Sequence, residues 1–303
     1  PAWYDWEDFF PGAREIANIG GLYSDRVAIT SEAQVLVYRT DVLEAAGVAV
    51  PTSFDELLAA CATIKEKGGG IYPITLRGGA ANWWPLYGVV RSYGGNYLDA
   101  QRQPVIGSAE SKAAVDTYAK LAQYAPPGIT NSDWDEINTA MLSGQAAMFL
   151  DSSVVFGRLE DATISTVAGK VGVAPFPAGP AGPHGNSHYW SISMAESSQK
   201  KEAAWLFIQW ATSKPVQAAL ALKGVLGPRL SAWKVEGLAD QFPQQFLDSV
   251  SKSLETAVIP PAVEQFYELM DPLRAAVQEV ILGNQTADAA LDGVQEAWKK
   301  ILG

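Results

Sequence analysis

Short, strongly apolar runs alternate with segments of helical period over the first two thirds of this chain. Gln34–Tyr38 (QVLVY) is rich in β-branched side chains and predicts a buried strand, as do Ala146–Leu150 and Val171–Ala174. An amphipathic helix lies between the first two strands, with apolar positions at Phe54, Leu57, Leu58, Cys61 and Ile64. The alternation predicts an α/β fold, and 303 residues at roughly 100–200 per domain predict more than one lobe.

Two further strands are predicted at Ile71–Leu76 and Tyr189–Met194, whereas the last third of the sequence is mostly of helical period. The chain carries 22 Lys and Arg against 33 Asp and Glu, a net charge of −11. Nucleic acid phosphates and anionic lipid both attract basic faces, so this balance argues against either partner. The opening PAWYDWEDFFPG has neither a basic nor an apolar signal region, so we expect the natural protein to begin upstream.

Signatures of catalysis and of metal binding are lacking. The sequence contains no G-x-S-x-G elbow and no phosphate-binding loop. Cys61 is the only cysteine, which excludes a zinc site built on cysteines, and its place on the apolar face of the predicted helix indicates a core thiol. His184 and His188 are separated by loop residues. We therefore expect no catalytic residue, no metal and no cofactor, although a carboxylate pair needs no motif and leaves a hydrolase open.

The ten tryptophans fall into two groups by position. Trp205, Trp210 and Trp298 lie in amphipathic helices and are predicted to be core or helix-packing residues. The second group lies at element edges beside Gly, Pro or polar residues and comprises Trp83, Trp84, Trp190 and Trp233. Each could provide an apolar platform with an N–H donor for a ligand, or could pack between lobes, and the sequence leaves both alternatives open.

Several polar residues border the predicted strands. Asp151 follows the run AAMFL, where a strand end could face a ligand crevice or cap the next helix. Arg229 lies in a Gly-Pro turn, where it could bind a ligand or form a surface ion pair. Arg77 lies in a Gly-rich turn, and Glu32 and Gln34 border the first strand, so all three could present hydrogen-bonding groups to a polar ligand.

The stretch DRVAITSEAQVLVYRTDVLEAAGVAVPTSFDELLAAC resembles the central segment of the family 1 extracellular solute-binding proteins of ABC transporters. The matching positions are Leu36, Tyr38, Asp41, Ala46, Gly47, Pro51, Ser53, Phe54, Asp55, Glu56 and Leu57. Further matches are NTAMLSGQAAMFLDSS, SISMAESSQKKEAAWLFIQWATS, GVLGPRLSAW and ILGNQTADAALDGVQEAW, so the resemblance spans residues 20–303. WYDWEDFFPGAR, RGGAANWWPLYGVVRSYGG and SGQAAMFLDSS are most similar to the branch that binds sugars or polyols.

The resemblance implies a two-lobed fold like that of periplasmic binding proteins, with hinge strands between the lobes. The crossings are expected near Ala28–Gln34, His188–Ser193 and Leu226–Trp233. Residues 1–30 would be the remainder of the N-terminal lobe, and residues 31–188 would form the C-terminal lobe. The chain would then return to the N-terminal lobe at 189–230 and end with helices of the C-terminal lobe at 231–303. Family members begin with a long segment that builds most of the N-terminal lobe, and we expect its start to be missing here.

The implied function is that of a non-enzymatic component of an ABC importer that binds a sugar or sugar alcohol in the cleft by hinge closure. The ligand-binding residues would be Glu32, Gln34, Arg77, Trp83, Trp84, Asp151, Ser153, His188, Trp190, Arg229 and Trp233. The expected partners are a small neutral ligand and the transporter's membrane subunits, with the protein monomeric and periplasmic, or extracellular and tethered if lipidated. The alternative is a carbohydrate-active hydrolase that uses Asp151 with Glu32.

Overall fold

The computed structural model describes residues 2–17, 26–67 and 69–303. The helices are α1 (Pro11–Ile16), α2 (Thr40–Ala46), α3 (Phe54–Lys67), α4 (Trp83–Ser92), α5 (Ala109–Ala122), α6 (Trp134–Leu142), α7 (Val155–Leu159), α8 (Lys201–Ala211), α9 (Lys214–Ala221), α10 (Gln244–Glu255), α11 (Phe266–Ile281) and α12 (Ala287–Leu302). The strands are β1 (Val27–Ala28), β2 (Glu32–Arg39), β3 (Met148–Ser152), β4 (Val171–Ala174), β5 (Ser187–His188) and β6 (Ser191–Ile192). The predicted mixture of strands and helices is confirmed.

Strand β2 is the centre of the main sheet. It pairs antiparallel with β3 on one side and with β4 on the other, so that Leu36 lies opposite both Leu150 and Ala174. The predicted strand Ile71–Leu76 forms two parallel bridges beside β3, at Tyr72 and Thr75. The sheet is therefore mixed rather than built from parallel βα units alone.

The two faces of β2 contribute to two separate cores, because successive side chains of a strand point to opposite faces. Leu36 and Tyr38 pack in a core with side chains of α3, α4, α5, α11 and α12. Val35 and Val37 pack in the other core with side chains of α6 and α10 and with Phe9 and Phe10 near the start of the chain. Both faces are thus covered, which explains why this segment is apolar at nearly every position.

Residues 187–192 link the main sheet to a smaller one. β5 pairs with the start of β2, with His188 opposite Glu32, and β6 pairs with β1, with Ser191 opposite Ala28. The predicted strand Tyr189–Met194 is thus replaced by two short strands separated by Tyr189 and Trp190. Trp190 therefore lies at the break between the two sheets.

Helix α8 presents a wide apolar surface to solvent. Trp205, Leu206, Phe207 and Trp210 are exposed, whereas Ile208 and Ala211 of the same helix are buried. Trp205 and Trp210 are therefore not core residues, and that alternative of the prediction was wrong. The Trp205 ring instead lies 6.4 Å from the ring of Tyr4. Trp298 is fully buried in α12, as predicted, and its Nε1 donates to the Leu269 carbonyl oxygen at 2.6 Å.

We predict that Leu36→Ala lowers the free energy of unfolding by about 2–5 kcal/mol. The substitution leaves a cavity in the core, and β2 cannot move to fill it because the strand is packed on both faces. Leu282→Ala is the matched control, since Leu282 is 57% exposed whereas Leu36 is 0% exposed. The control should change stability by less than about 0.5 kcal/mol in urea titrations. Equal effects of the two substitutions would contradict the central position of β2.

Candidate functional site

The Glu32 carboxylate joins three elements at the start of β2. Its Oε2 accepts a hydrogen bond from Ser152 Oγ at the end of β3 (2.6 Å), and its Oε1 accepts one from Trp190 Nε1 (2.9 Å). The His188 ring lies edge-on to the Trp190 ring, with 5.1 Å between the centroids. We call Glu32, Ser152, His188 and Trp190 the Glu32 cluster.

A buried ion pair lies beside this cluster. Arg77 Nε and Nη2 donate to the two carboxylate oxygens of Asp151 at 2.8 and 2.6 Å, the bidentate geometry that guanidinium favours. The Arg77 Cζ atom also lies 5.0 Å from the centre of the Trp84 ring and 5.3 Å from that of Trp134. We call Arg77 and Asp151 the Arg77 pair.

Position along the chain explains why these two residues meet. Arg77 directly follows the extended segment that bridges β3, and Asp151 lies in β3 itself, so neighbouring extended segments present both side chains at one edge of the sheet. Tyr118 of α5 fixes the turn, since its hydroxyl donates to the Arg77 carbonyl oxygen at 2.6 Å. The pair is therefore held by both backbone and side chains before any ligand arrives.

The charges of the two groups influence one another. Burial acts to lower the pKa of Arg77, but the facing Asp151 carboxylate outweighs this and raises that pKa above its usual value. Burial raises the pKa of Asp151, against the opposing effects of Arg77 and of the Ser152 N–H. Burial likewise lowers the pKa of His188, with Glu32 opposing the shift and Arg77 adding to it. The Glu32 cluster and the Arg77 pair thus form one electrostatic unit.

Two cavities open on this part of the molecule. The smaller, of about 320 Å³, is lined by Glu32, Ser153 and Trp190, together with Val154, Leu226 and Phe246. The larger, of about 520 Å³, is lined by Trp83, Trp84 and His188, together with Tyr189, Pro260 and Phe266. Aromatic walls with a few polar groups are typical of small-molecule sites. Six of the sequence-predicted residues therefore border one or the other cavity.

Gln34 and Ser153 have structural contacts instead of free polar groups. Gln34 is fully buried, where its Nε2 donates to the Pro85 carbonyl oxygen at 3.0 Å and its Oε1 accepts from the Asn186 N–H at 2.9 Å. Ser153 Oγ accepts from the Ala33 N–H at 3.2 Å. These contacts fix the start of β2 and so hold Glu32 in place.

Arg229 and Trp233 are held by contacts with residues outside the Glu32 cluster. The buried Arg229 guanidinium donates to the carbonyl oxygens of Thr212 (2.6 Å), Tyr4 (2.8 Å) and Asp5 (3.0 Å), and its Cζ lies 4.1 Å from the Phe9 ring centre. Trp233 Nε1 donates to the Gly227 carbonyl oxygen at 2.9 Å. Both residues tie the start of the chain to residues 212–234, so we leave them out of the proposed site. The surface ion pair considered for Arg229 is instead a buried contact with Asp8 at 3.3 Å.

Sequence reasoning missed Ser152 and Trp134. Ser152 could have been found, because it directly follows Asp151 at the end of β3. Its side chain points to the face of the sheet opposite that of Asp151, because side chains alternate along a strand. Trp134 is the first residue of α6 and has no local signal that distinguishes it from a packing residue. Cys61 is buried, as predicted, and burial raises the pKa of its thiol to about 12.

The described residues contain neither a cluster suited to a metal ion nor a helix suited to span a membrane. Across residues 2–17, 26–67 and 69–303 no group of three or more His, Cys, Asp or Glu side chains is placed to hold a metal ion. In this same part of the chain no helix has both the length and the apolar character needed to cross a bilayer. His184 instead bonds to backbone, with its ring nitrogens 3.1 and 3.3 Å from the carbonyl oxygens of Ala181 and Thr256.

Comparison with known proteins identifies the family. Residues 1–218 match the model of the bacterial extracellular solute-binding proteins, and the chain belongs to this family. A mannitol-binding protein of Pseudomonas aeruginosa is 31% identical over 223 residues, which are 71% of this chain and 50% of that protein. An erythritol/L-threitol-binding protein of Mycolicibacterium smegmatis is 27% identical over 231 residues, 70% of this chain and 48% of that protein. The chain thus spans about half of the length of these two relatives.

Solved structures agree with this assignment. An ABC transporter solute-binding protein of Agrobacterium radiobacter in complex with ribitol superposes with a TM-score of 0.82 and 29% identity, over 99% of this chain and 77% of that one. A solute-binding protein of Agrobacterium vitis with bound D-mannitol gives 0.84 and 25% identity, over 99% and 78%. The fold is therefore the two-lobed α/β fold of these solute-binding proteins, as predicted.

We predict that His188 makes stability fall as pH decreases below about 6.5, its usual pKa. The pKa of His188 is lowered in the folded state, so the unfolded chain takes up a proton first and stability is lost between 6.5 and the lowered value. The slope from this group is at most about 1.4 kcal/mol per pH unit. Urea titrations between pH 7 and 5 should show a shallower slope for His188→Gln.

His184→Gln is the matched control for that experiment, because it removes a histidine while leaving His188 in place. The part of the slope that depends on His188 should therefore persist in this variant. An unchanged slope in His188→Gln would contradict the lowered pKa.

Proposed function

We propose that this chain is the ligand-binding part of an ABC importer subunit that takes up a small neutral polyol or sugar. The observation that carries the proposal is the Glu32 cluster, in which one carboxylate at the junction of the two sheets bonds to both Ser152 and the exposed Trp190. The polyol-binding relatives support the same ligand class. The ligand would lie against the Glu32 cluster and the Arg77 pair.

The chemistry of these groups suits a chain or ring of hydroxyl groups. Carboxylate and guanidinium form charge-assisted hydrogen bonds with hydroxyls, each contributing roughly 1.5–3 kcal/mol. The Trp190 ring, 62% exposed, would cover the apolar C–H side of the ligand while its N–H stays bonded to Glu32. Glu32 would then accept hydrogen bonds from the ligand hydroxyls, and Arg77 would donate hydrogen bonds to them.

We propose that closure of two lobes about the crossing segments completes the site. The lobes would comprise 1–30 with 189–230 and 31–188 with 231–303, the first range including residues 1 and 18–25 outside the described structure. Contacts that support a crossing include Ile29 N–H to the Trp190 carbonyl oxygen (2.7 Å) and Ser31 Oγ to the Gly227 carbonyl oxygen (2.9 Å). A ligand would shift the equilibrium toward closure by the margin with which it prefers the closed form.

A hydrolase using Asp151 with Glu32 receives little support from this geometry. Such a mechanism requires two carboxyl groups that reach opposite sides of a glycosidic bond. Asp151 is fully buried, and both of its oxygens are bonded to Arg77. We therefore propose a non-catalytic binding role, with the ligand left intact.

The remaining assignments follow from this role. We propose that the protein acts outside the cytoplasmic membrane, in keeping with its extracellular family, and delivers ligand as a monomer to the membrane subunits of a transporter. The acidic net charge of −11 supports a neutral ligand and gives no support to nucleic acid as a partner.

We predict that Trp190→Ala weakens binding of D-mannitol or ribitol by at least tenfold, about 1.4 kcal/mol, because it removes the aromatic platform and the donor to Glu32. Trp3→Ala is the matched control, since Trp3 is 63% exposed and Trp190 is 62% exposed. Calorimetric titration should show wild-type affinity for the control. If both variants bind as tightly as the wild type, the site does not lie at the Glu32 cluster.

A further inference from the structure

The Asp151 carboxylate is out of direct reach of a ligand, because it is buried and both of its oxygens are bonded within the protein. Oδ1 of Asp151 accepts from Arg77 Nη2 (2.6 Å) and from the Ser152 N–H (2.8 Å), and Oδ2 accepts from Arg77 Nε (2.8 Å). The Asp151 side chain is 0% exposed, whereas that of Arg77 is 14% exposed. The accessible member of the pair is therefore Arg77.

One nitrogen of Arg77 remains available. Among the described residues, Nη1 has no hydrogen-bond partner, because Nε and Nη2 are both directed at Asp151. The bidentate bond to Asp151 and the contacts with the Trp84 and Trp134 rings restrict the guanidinium to one orientation. Asp151 thus acts on a ligand only through Arg77.

The charges near Arg77 determine which ligands it can receive. The negative charge of Asp151 cancels the positive charge of Arg77, and Glu32 on β2 adds a further negative charge. Asp133 adds a second one, and its carboxylate accepts hydrogen bonds from the N–H groups of Ala80 and Ala81 at 3.0 and 2.8 Å. His188 has a lowered pKa and is neutral above its usual pKa of 6.5. The surroundings of Arg77 therefore carry a net negative charge, which repels an anionic ligand.

We propose that Asp151 determines charge selectivity as a positioning residue: it holds Arg77 as a donor for a neutral hydroxyl and cancels the charge that would otherwise admit the carboxylate of a sugar acid. This inference rests on the proposed function and deepens it by naming the residue that makes the site select an uncharged ligand over an anionic one. Without Asp151, Arg77 would lose its directly bonded counter-charge, and its Nε and Nη2 would be free to form a bidentate bond with the carboxylate of a ligand.

The test compares D-mannitol with D-mannonate, which has the same carbon skeleton but a terminal carboxylate. Calorimetric titration at pH 7.5 should give the wild type at least a tenfold preference for mannitol. Asp151→Asn should reduce that preference at least tenfold, whereas Asp55→Asn, the same change at an exposed position of α3, should leave it unchanged. An unchanged preference in a folded Asp151→Asn protein would overturn the proposal.

The double variant Arg77→Gln/Asp151→Asn keeps the test decisive if Asp151→Asn does not fold, because it removes both charges and leaves no buried ion unpaired. Its net charge equals that of the wild type, so it should retain the preference for mannitol within threefold while binding mannitol at least tenfold more weakly. A double variant that accepts mannonate as readily as mannitol would contradict the role of charge cancellation. Failure of the wild type to bind any polyol would refute the proposed function instead.

Discussion

The burial of β2 on both faces is the constraint on which the rest of the structure depends. This strand pairs with β3, β4 and β5, and its side chains enter the two cores alternately. A strand held in this way cannot slip in register without turning each core-facing side chain to the wrong face. Glu32, the first residue of β2, therefore has a fixed position relative to Ser152 and His188.

The polar groups of the candidate site are held in place by contacts that do not involve ligand. Gln34 joins the start of β2 to Pro85 of α4 and to Asn186 just before β5, and Tyr118 anchors the turn that carries Arg77. Side chains already fixed in this way lose little conformational freedom on binding, which improves affinity without any added contact. In this account the aromatic rings contribute apolar surface, and the charged groups contribute selectivity.

The sequence predicted those features that depend on local pattern. The alternation of apolar residues located β2, and helical spacing placed Cys61 and Trp298 in the core. The pattern could not distinguish a helix face that is covered from one that is exposed, so the core position predicted as one alternative for Trp205 and Trp210 was wrong. Periodicity reports only that a face is apolar and not which surface packs on it.

In the candidate site, too, the sequence predicted features that depend on neighbouring residues but not contacts between distant parts of the chain. Glu32 and Trp190 were singled out from their places at the expected crossings, and their hydrogen bond, across 158 positions of sequence, is consistent with that choice. Arg229 looked equally suitable in the sequence, but its partners Tyr4 and Thr212 lie far away along the chain and could not be inferred from its neighbours. Asp151 was placed at the correct strand, yet its pairing with Arg77 depends on which segment lies beside β3.

The central claim is that a neutral polyol binds at the Glu32 cluster, and one measurement tests it most directly. Calorimetric titration of the 303-residue chain should be carried out with D-mannitol, ribitol and a neutral amino acid such as leucine. The account predicts saturable binding of at least one polyol, lost in Glu32→Ala, and no binding of the amino acid. Binding of the amino acid alone, or polyol binding that survives Glu32→Ala unchanged, would contradict it.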